Sequence, residues 1–437
     1  MFLPPRPAGT AGLNNVFAHG QAGQSALSMF LTPSAGRTAG LKADRLAGLW
    51  GKNTTGQPVP AYAQKHRRPC RACRGGKNTV DFLFFPVDQK LQIPEGGHSV
   101  GFLMKGSASN VAGSFDKGAK LLWELSQIKL TAKQVQTISE KVGQALVQER
   151  EHQRQAFRSG QRPPSPPNPP ALLVTGADGG RVQTRHEDPE KKWKEDQIGM
   201  VYRAQPSPEK PGQPYPGPKP IVKTHVATME DWDTMGEYLS QEAAQRGCAE
   251  AAQKVFIGDA AQGIKSLWQR GFPDAEFIND WAHAAEHLHA CALAAFGNTE
   301  RAEEWHERRK QSLWDGKVPL VLRAVTQESK RLGKPRKNSS ENDPRLILSR
   351  NVGYFRENQS PMDYPRYRKN GWPIGSGVVE SGVKQFGQRA KGSEKHGSVP
   401  GVEAILVLMS TWMAEDNRWK KFRRSHPFAT HAKRPAA

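Results

Sequence analysis

Ala171-Leu172-Leu173-Val174-Thr175-Gly176-Ala177-Asp178-Gly179-Gly180-Arg181-Val182-Gln183-Thr184-Arg185 is the stretch on which the reading of the chain turns. A short apolar run bounded by a turn signal reads as a buried strand. It would end at Asp178, with Gly179-Gly180 as the turn and residues 181–185 returning as its neighbour. A carboxylate is thereby set at the rim of a sheet. Just upstream, residues 161–170 are a proline-rich linker, which places a domain boundary there and an α/β domain over 171–415.

Downstream the pattern continues with a strand over 193–202, a Pro/Gly-rich surface excursion over 205–220, a third strand over 221–228 and a helix over 234–245. Lys254-Val255-Phe256-Ile257-Gly258-Asp259 is a further strand ending in an acid, followed by a helix about Ile264, Leu267 and Trp268. A short strand over 275–278 runs into Asp280-Trp281-Ala282-His283-Ala284-Ala285-Glu286-His287-Leu288. Helical patterning then fills an insertion of about 284–345, with a polar, basic break at 329–343. Gly371-Trp372-Pro373-Ile374-Gly375-Ser376-Gly377-Val378-Val379-Glu380-Ser381-Gly382-Val383-Lys384 follows, where Ser376 is the expected cap of a helix carrying Glu380 in its second turn. Val379, Val383 and Phe386 bury one face of that helix, leaving Glu380, Lys384 and Gln388 on another.

Three strands, a helix, a strand ending in an acid, another strand and a late helix bearing a carboxylate is the order of an RNase H-like mixed sheet. The predicted fold class is therefore α/β, an RNase H-like mixed sheet with an all-helical insertion, preceded by a small helix-turn-helix domain and a basic disordered arm. In that arrangement the first strand lies centrally beside the fourth, so Asp178 and Asp259 meet and the late helix brings Glu380 to them. Converging carboxylates raise one another's pKa. Two Mg2+ ions about 3.5–4 Å apart relieve this, one activating a water or 3′-hydroxyl and one stabilising the leaving oxygen. Mn2+ can stand in for them. The competing account of Glu380 is a surface pair with Lys384 at i, i+4, worth a few tenths of a kcal/mol.

Four stretches in order also resemble a known family. Residues 175–185 with Trp193-Lys194-Glu195 resemble the first-aspartate region of ISKra-type insertion-sequence transposases; Ile257-Gly258-Asp259-Ala260-Ala261 with Trp268, Phe272-Pro273-Asp274-Ala275 and the 280–288 stretch resemble the second. Pro373-Ile374-Gly375-Ser376-Gly377-Val378-Val379-Glu380-Ser381 resembles the glutamate motif, completed by Arg389-Ala390-Lys391-Gly392-Ser393. The resemblance spans about residues 115–415. It implies a DDE transposase with Asp178, Asp259 and Glu380 as catalytic metal ligands. It makes Asp280 and His283 similar to the (C/D)xxH element of Mutator-like enzymes, in a supporting role, and gives Arg389 and Lys391 phosphates to meet. Lys384, one turn beyond Glu380, joins them as a candidate phosphate contact. A homo-oligomer pairing two DNA ends is expected by the same analogy.

Composition agrees with a polyanionic partner. The 437-residue chain carries 63 Lys and Arg against 42 Asp and Glu, a formal charge of +21, and double-stranded DNA is the partner such a balance suggests. No apolar run reaches the length of a membrane span, so no membrane partner is expected, and a cytoplasmic, nucleoid-associated protein is. Residues 1–78 read as a basic low-complexity arm. Residues 79–160 read as a DNA-binding region: strands near 82–85 and 91–103, then a helix-turn-helix in which Thr131 caps a second helix exposing Lys133, Gln134, Gln136 and Lys141. Residues 416–437 form a basic tail. Cys248 and Cys291 read as buried small hydrophobes. Cys70 and Cys73, ringed by arginines, are half of a zinc ribbon with no second ligand pair, so zinc is not expected there. Two rival readings stand beside the transposase. His283-Ala284-Ala285-Glu286-His287 spells the H-x-x-E-H of a zinc peptidase, and the chain could instead be a non-catalytic DNA-binding protein.

Overall fold

The computed structural model of the chain describes residues 50–52, 58–60 and 99–425, apart from 112, 165, 187, 189–191 and 393–394. The rest of the 1–78 arm, Cys70 and Cys73, the strands expected over 82–97, Ser393 and the tail beyond 425 lie outside the described residues. In the first of two units, β1 (Trp50–Lys52) pairs antiparallel with β2 (Pro58–Pro60).

The second unit is built on five strands: β3 (Leu172–Gln183), β4 (Trp193–Gln205), β5 (Lys219–Thr228), β6 (Lys254–Gly258) and β7 (Glu276–Asn279), in the order β5-β4-β3-β6-β7. β3, β4 and β5 are antiparallel neighbours, whereas β6 runs parallel to β3 and β7 parallel to β6. This mixed α/β order is compatible with the RNase H-like expectation. One detail is corrected: β3 does not turn at Gly179-Gly180. It runs on, pairing with β4 as far as Gln183↔Trp193, while its parallel pairing with β6 stops at Gly176↔Ile257. Asp178 thus stands where β3 outlasts its neighbour.

Alternation along the strands sends the two faces to different layers. Leu172, Val174, Met200, Tyr202, Val255, Ile257 and Ile278 share a core with five helices, α6 (Trp281–Phe296), α7 (Glu300–Trp314), α8 (Val318–Leu332), α9 (Pro344–Glu357) and α10 (Tyr364–Asn370). The opposite face, with Leu173, Ala177, Val201, Phe256 and Phe277, packs on α4 (Trp232–Gln245) and α5 (Gln262–Gly271).

The remaining helices close the antiparallel side. α1 (Val100–Ala108) forms where a strand over 91–103 is expected; Ser99 Oγ accepts the Phe102 amide at 3.3 Å, and Val100, Leu103 and Met104 recur at helical spacing and are buried. α2 (Phe115–Ser126) leads to α3 (Ala132–Arg158), whose start is a capping box between Thr131 and Gln134. Its 27 residues make a rod of about 40 Å. Ile138, Val142 and Leu146 of α3 pack with Ile198, Ala227, and residues of α11 (Gly377–Ala390) and α12 (Val399–Met413). α13 (Arg418–Arg424) ends the described chain. Cys291 is buried and Cys248 partly so. No helix among the described residues is long and apolar enough to cross a membrane.

Candidate metal centre

An acid stands just past the last parallel rung on each of β3, β6 and β7. Asp178 and Asp259 both lie two residues beyond the last β3–β6 rung, Gly176↔Ile257, and Asp280 follows the last β6–β7 rung, Gly258↔Asn279. Val174, Ile257 and Ile278 belong to the core under the helical insertion. Two-residue periodicity therefore directs Asp178, Asp259 and Asp280 toward that same face. Burial, and then the neighbouring Asp259, push the Asp178 carboxyl above its usual range, with His283 and Lys391 pulling it back. Neighbouring carboxylates of this kind are a donor set that a divalent cation would neutralise.

Glu380 reaches the same face from α11. Val379, 2% exposed, packs on β3 at Gly176, where an added Cβ would lie 2.8 Å from both Ile257 O and Val379 Cγ2. Only glycine lets the helix lie that close to the strand carrying Asp178. Ser376 precedes α11, but its hydroxyl does not cap the helix as expected. It donates instead to Glu380 Oε1 at 3.0 Å, while Lys384 Nζ donates to Oε2 at 3.4 Å. Glu380 therefore sits in the first turn of α11 rather than the second, and its i, i+4 pair with Lys384 is present.

Asp280 ties these parts together. It is fully buried; Oδ1 accepts the His283 amide at 2.9 Å, capping α6, and Oδ2 accepts the Ser376 amide just ahead of α11. Beside it the Trp281 amide donates to Ile374 O at 2.8 Å. Among the described residues, the group of three metal-ligating side chains whose ligand atoms all lie within 4.8 Å of one another is Asp280, His283 and Glu380. Asp178 and Asp259 are not members of this group.

One acid had no signal in the sequence. Asp196 sits in the polar run Lys194-Glu195-Asp196-Gln197, which reads as a solvated strand end. Paired with Gly180 across the sheet, it is instead 0% exposed, and neither carboxylate oxygen has a hydrogen-bond partner. Lys391 Nζ lies 4.0 Å from it. The space for both is Gly180: a Cβ there would lie 2.6 Å from Asp196 Oδ1 and collide with the Lys391 ammonium. Burial holds the Asp196 carboxyl above its ordinary range, Lys391 opposing this and Asp178 adding to it. Lys391 is thereby placed at the rim of the acidic cluster.

Arg389, expected among the phosphate-facing cations, is elsewhere. It is 6% exposed, donates to Asn110 O at 2.9 Å and Asn110 Oδ1 at 3.0 Å, and lies over the Phe115 ring. It is turned into the protein rather than toward the site. Lys384 is exposed at the site's edge, and Lys133, Gln134 and Lys141 are exposed on α3, Gln134 being held in the capping box. The two histidines of the H-x-x-E-H run part company. His283 joins Asp280 and Glu380, whereas His287 is stacked on Tyr354 at 3.7 Å with Nδ1 2.7 Å from Asn351 Oδ1.

No family model and no curated protein matches the chain. Among solved structures it is similar to the Drosophila P element transposase strand transfer complex, with 10% identity and a TM-score of 0.34, over 77% of this chain and 97% of that chain. A likeness of that size bears on neither the residues nor the chemistry of the site.

Proposed function

We propose that the chain is a DDE transposase with an RNase H-like catalytic core, cutting and joining insertion-sequence ends in double-stranded DNA. The observation that carries this reading is the matched register of Asp178 and Asp259, each two residues past the last β3–β6 rung, with α11, which bears Glu380, packed on the same face through Val379. The four sequence motifs, which bear just these acids in this order, support it. In this reading Asp178, Asp259 and Glu380 hold two Mg2+, or Mn2+ in their place. Bound there, such ions activate the attacking water or 3′-hydroxyl and neutralise the leaving oxygen.

The protein's own residues do the rest. Ser376 holds the Glu380 carboxylate in one orientation, and Asp280 holds Ser376. Lys391, drawn in beside Asp196, and Lys384 offer ammonium groups to the phosphates flanking the scissile bond. The exposed start of α3, with Lys133, Gln134 and Lys141, is a second surface for duplex DNA. A homo-oligomer would bring two ends together, in the cytoplasm at the nucleoid.

The test is nicking of a plasmid carrying the DNA that flanks the coding sequence. Asp178→Asn, Asp259→Asn and Glu380→Gln should each reduce Mg2+-dependent nicking to background while leaving DNA binding in place. Wild-type protein that binds this DNA and never nicks it, or variants that nick at the wild-type rate, would overturn the proposal. The first outcome favours a non-catalytic DNA-binding protein.

A further inference from the structure

We infer that His283 is itself a metal ligand, forming with Glu380, and held in place by Asp280, a nitrogen-bearing half of the centre that prefers Mn2+ to Mg2+. The inference rests on the reading of this site as a metal centre, though not on its acting on DNA.

The ligand atoms of the three residues are already within 4.8 Å of one another. They are also held there by a continuous chain of bonds. Asp280 Oδ1 accepts the His283 amide, fixing the first turn of α6; Asp280 Oδ2 accepts the Ser376 amide; Ser376 Oγ donates to Glu380 Oε1 at 3.0 Å. A histidine at a strand-to-helix junction is ordinarily accounted for by a hydrogen bond to backbone. Here the ring instead has Glu286 Oε2 3.5 Å from Nδ1. A carboxylate hydrogen-bonded to one ring nitrogen orients a ligating imidazole, and Glu286 is within reach of that role once a metal draws on the ring.

Oxygen donors alone suit Mg2+, a hard ion that keeps several waters in a near-ideal octahedron. An imidazole in the set shifts preference toward first-row transition metals. The expectation is one oxygen-only position at Asp178 and Asp259 and one mixed nitrogen–oxygen position at His283 and Glu380.

The probe is Mn2+ added to the chelator-treated full chain and followed by pulsed electron paramagnetic resonance, which detects nitrogen directly bonded to the ion. Wild-type protein should show 14N coupling. His283→Gln should abolish it and weaken Mn2+ binding about tenfold or more, with Mg2+ affinity, read by competition, unchanged. Glu286→Gln, at an exposed position, should retain the coupling and weaken Mn2+ binding to a smaller degree, and it guards against a fold defect in the first variant. Absence of Mn2+ binding, bound Mn2+ without 14N coupling, or coupling that survives in His283→Gln would overturn the inference. Nicking that depends on Asp178 without any nitrogen signature would leave the transposase reading standing alone. A nitrogen signature in a protein that never nicks DNA would do the reverse.

Discussion

His225 shows how much one side chain can weigh. On β5 it faces Met200 across the sheet, lies 6.0 Å from the Phe386 ring, is 6% exposed and has no partner for Nδ1. Burial first, then Lys223, push its pKa down to about 4, with Arg418 adding to this and Glu242 opposing it. The unfolded chain protonates this imidazole near pH 6.5, so the folded state binds fewer protons between the two values. Its contribution is complete above about pH 6.5 and is lost as pH falls toward 4, by about 3 kcal/mol. Urea unfolding from pH 7.5 to 4.5 should show that loss, and His225→Gln should flatten it. The same scale exposes the limits of sequence reading. The burial of Asp196 beside Lys391 depends on a glycine across the sheet, and no local pattern announces a cross-strand partner.

At the level of elements, the strand order was legible because apolar runs bounded by turn residues mark β3, β6 and β7, and Asp178 and Asp259 stand at matching register because each closes such a run. The glycines of β3 were misread. Gly179-Gly180 resembles a turn in one dimension, but in the folded chain Gly180 makes room for Asp196 and Lys391 within an unbroken strand. Arg389 was misread for a different reason. Grouped with Lys391 it looks like a basic patch, yet it continues the series Val379, Gly382, Phe386 at spacings of three and four, which is the buried face of α11. The guanidinium bridges α11 to the segment between α1 and α2 through Asn110. Arg389→Met should cost about 1–3 kcal/mol by stranding the Asn110 carbonyls. It should leave the salt dependence of DNA affinity unaltered, whereas loss of a phosphate contact would lower that slope by about 1. Parallel denaturation and DNA titrations in varied salt separate the two.

For the whole molecule, charge was the most legible property and sets the scale of the proposed interaction. With a formal charge of +21, affinity for duplex DNA of any sequence should fall steeply with salt, by about 10³–10⁵ between 50 and 200 mM if six to ten phosphates are met. Fluorescence anisotropy on an unrelated duplex measures this, and a flat response would remove DNA as the charge's partner. The helical layer was legible as helix but not in its attachment, because contacts between residues 96 apart leave no trace in local periodicity. That attachment has a consequence for how such a chain can change. The backbone departs from the sheet at Asp280 and returns at Ser376, and the bond between them closes the excursion at its neck. Closing a loop costs only about 0.6 kcal/mol more for each doubling of its length. The exposed stretch 333–343 within that excursion can therefore be lengthened at small thermodynamic expense, whereas α6–α10 supply half of the core on that face of the sheet and cannot be given up.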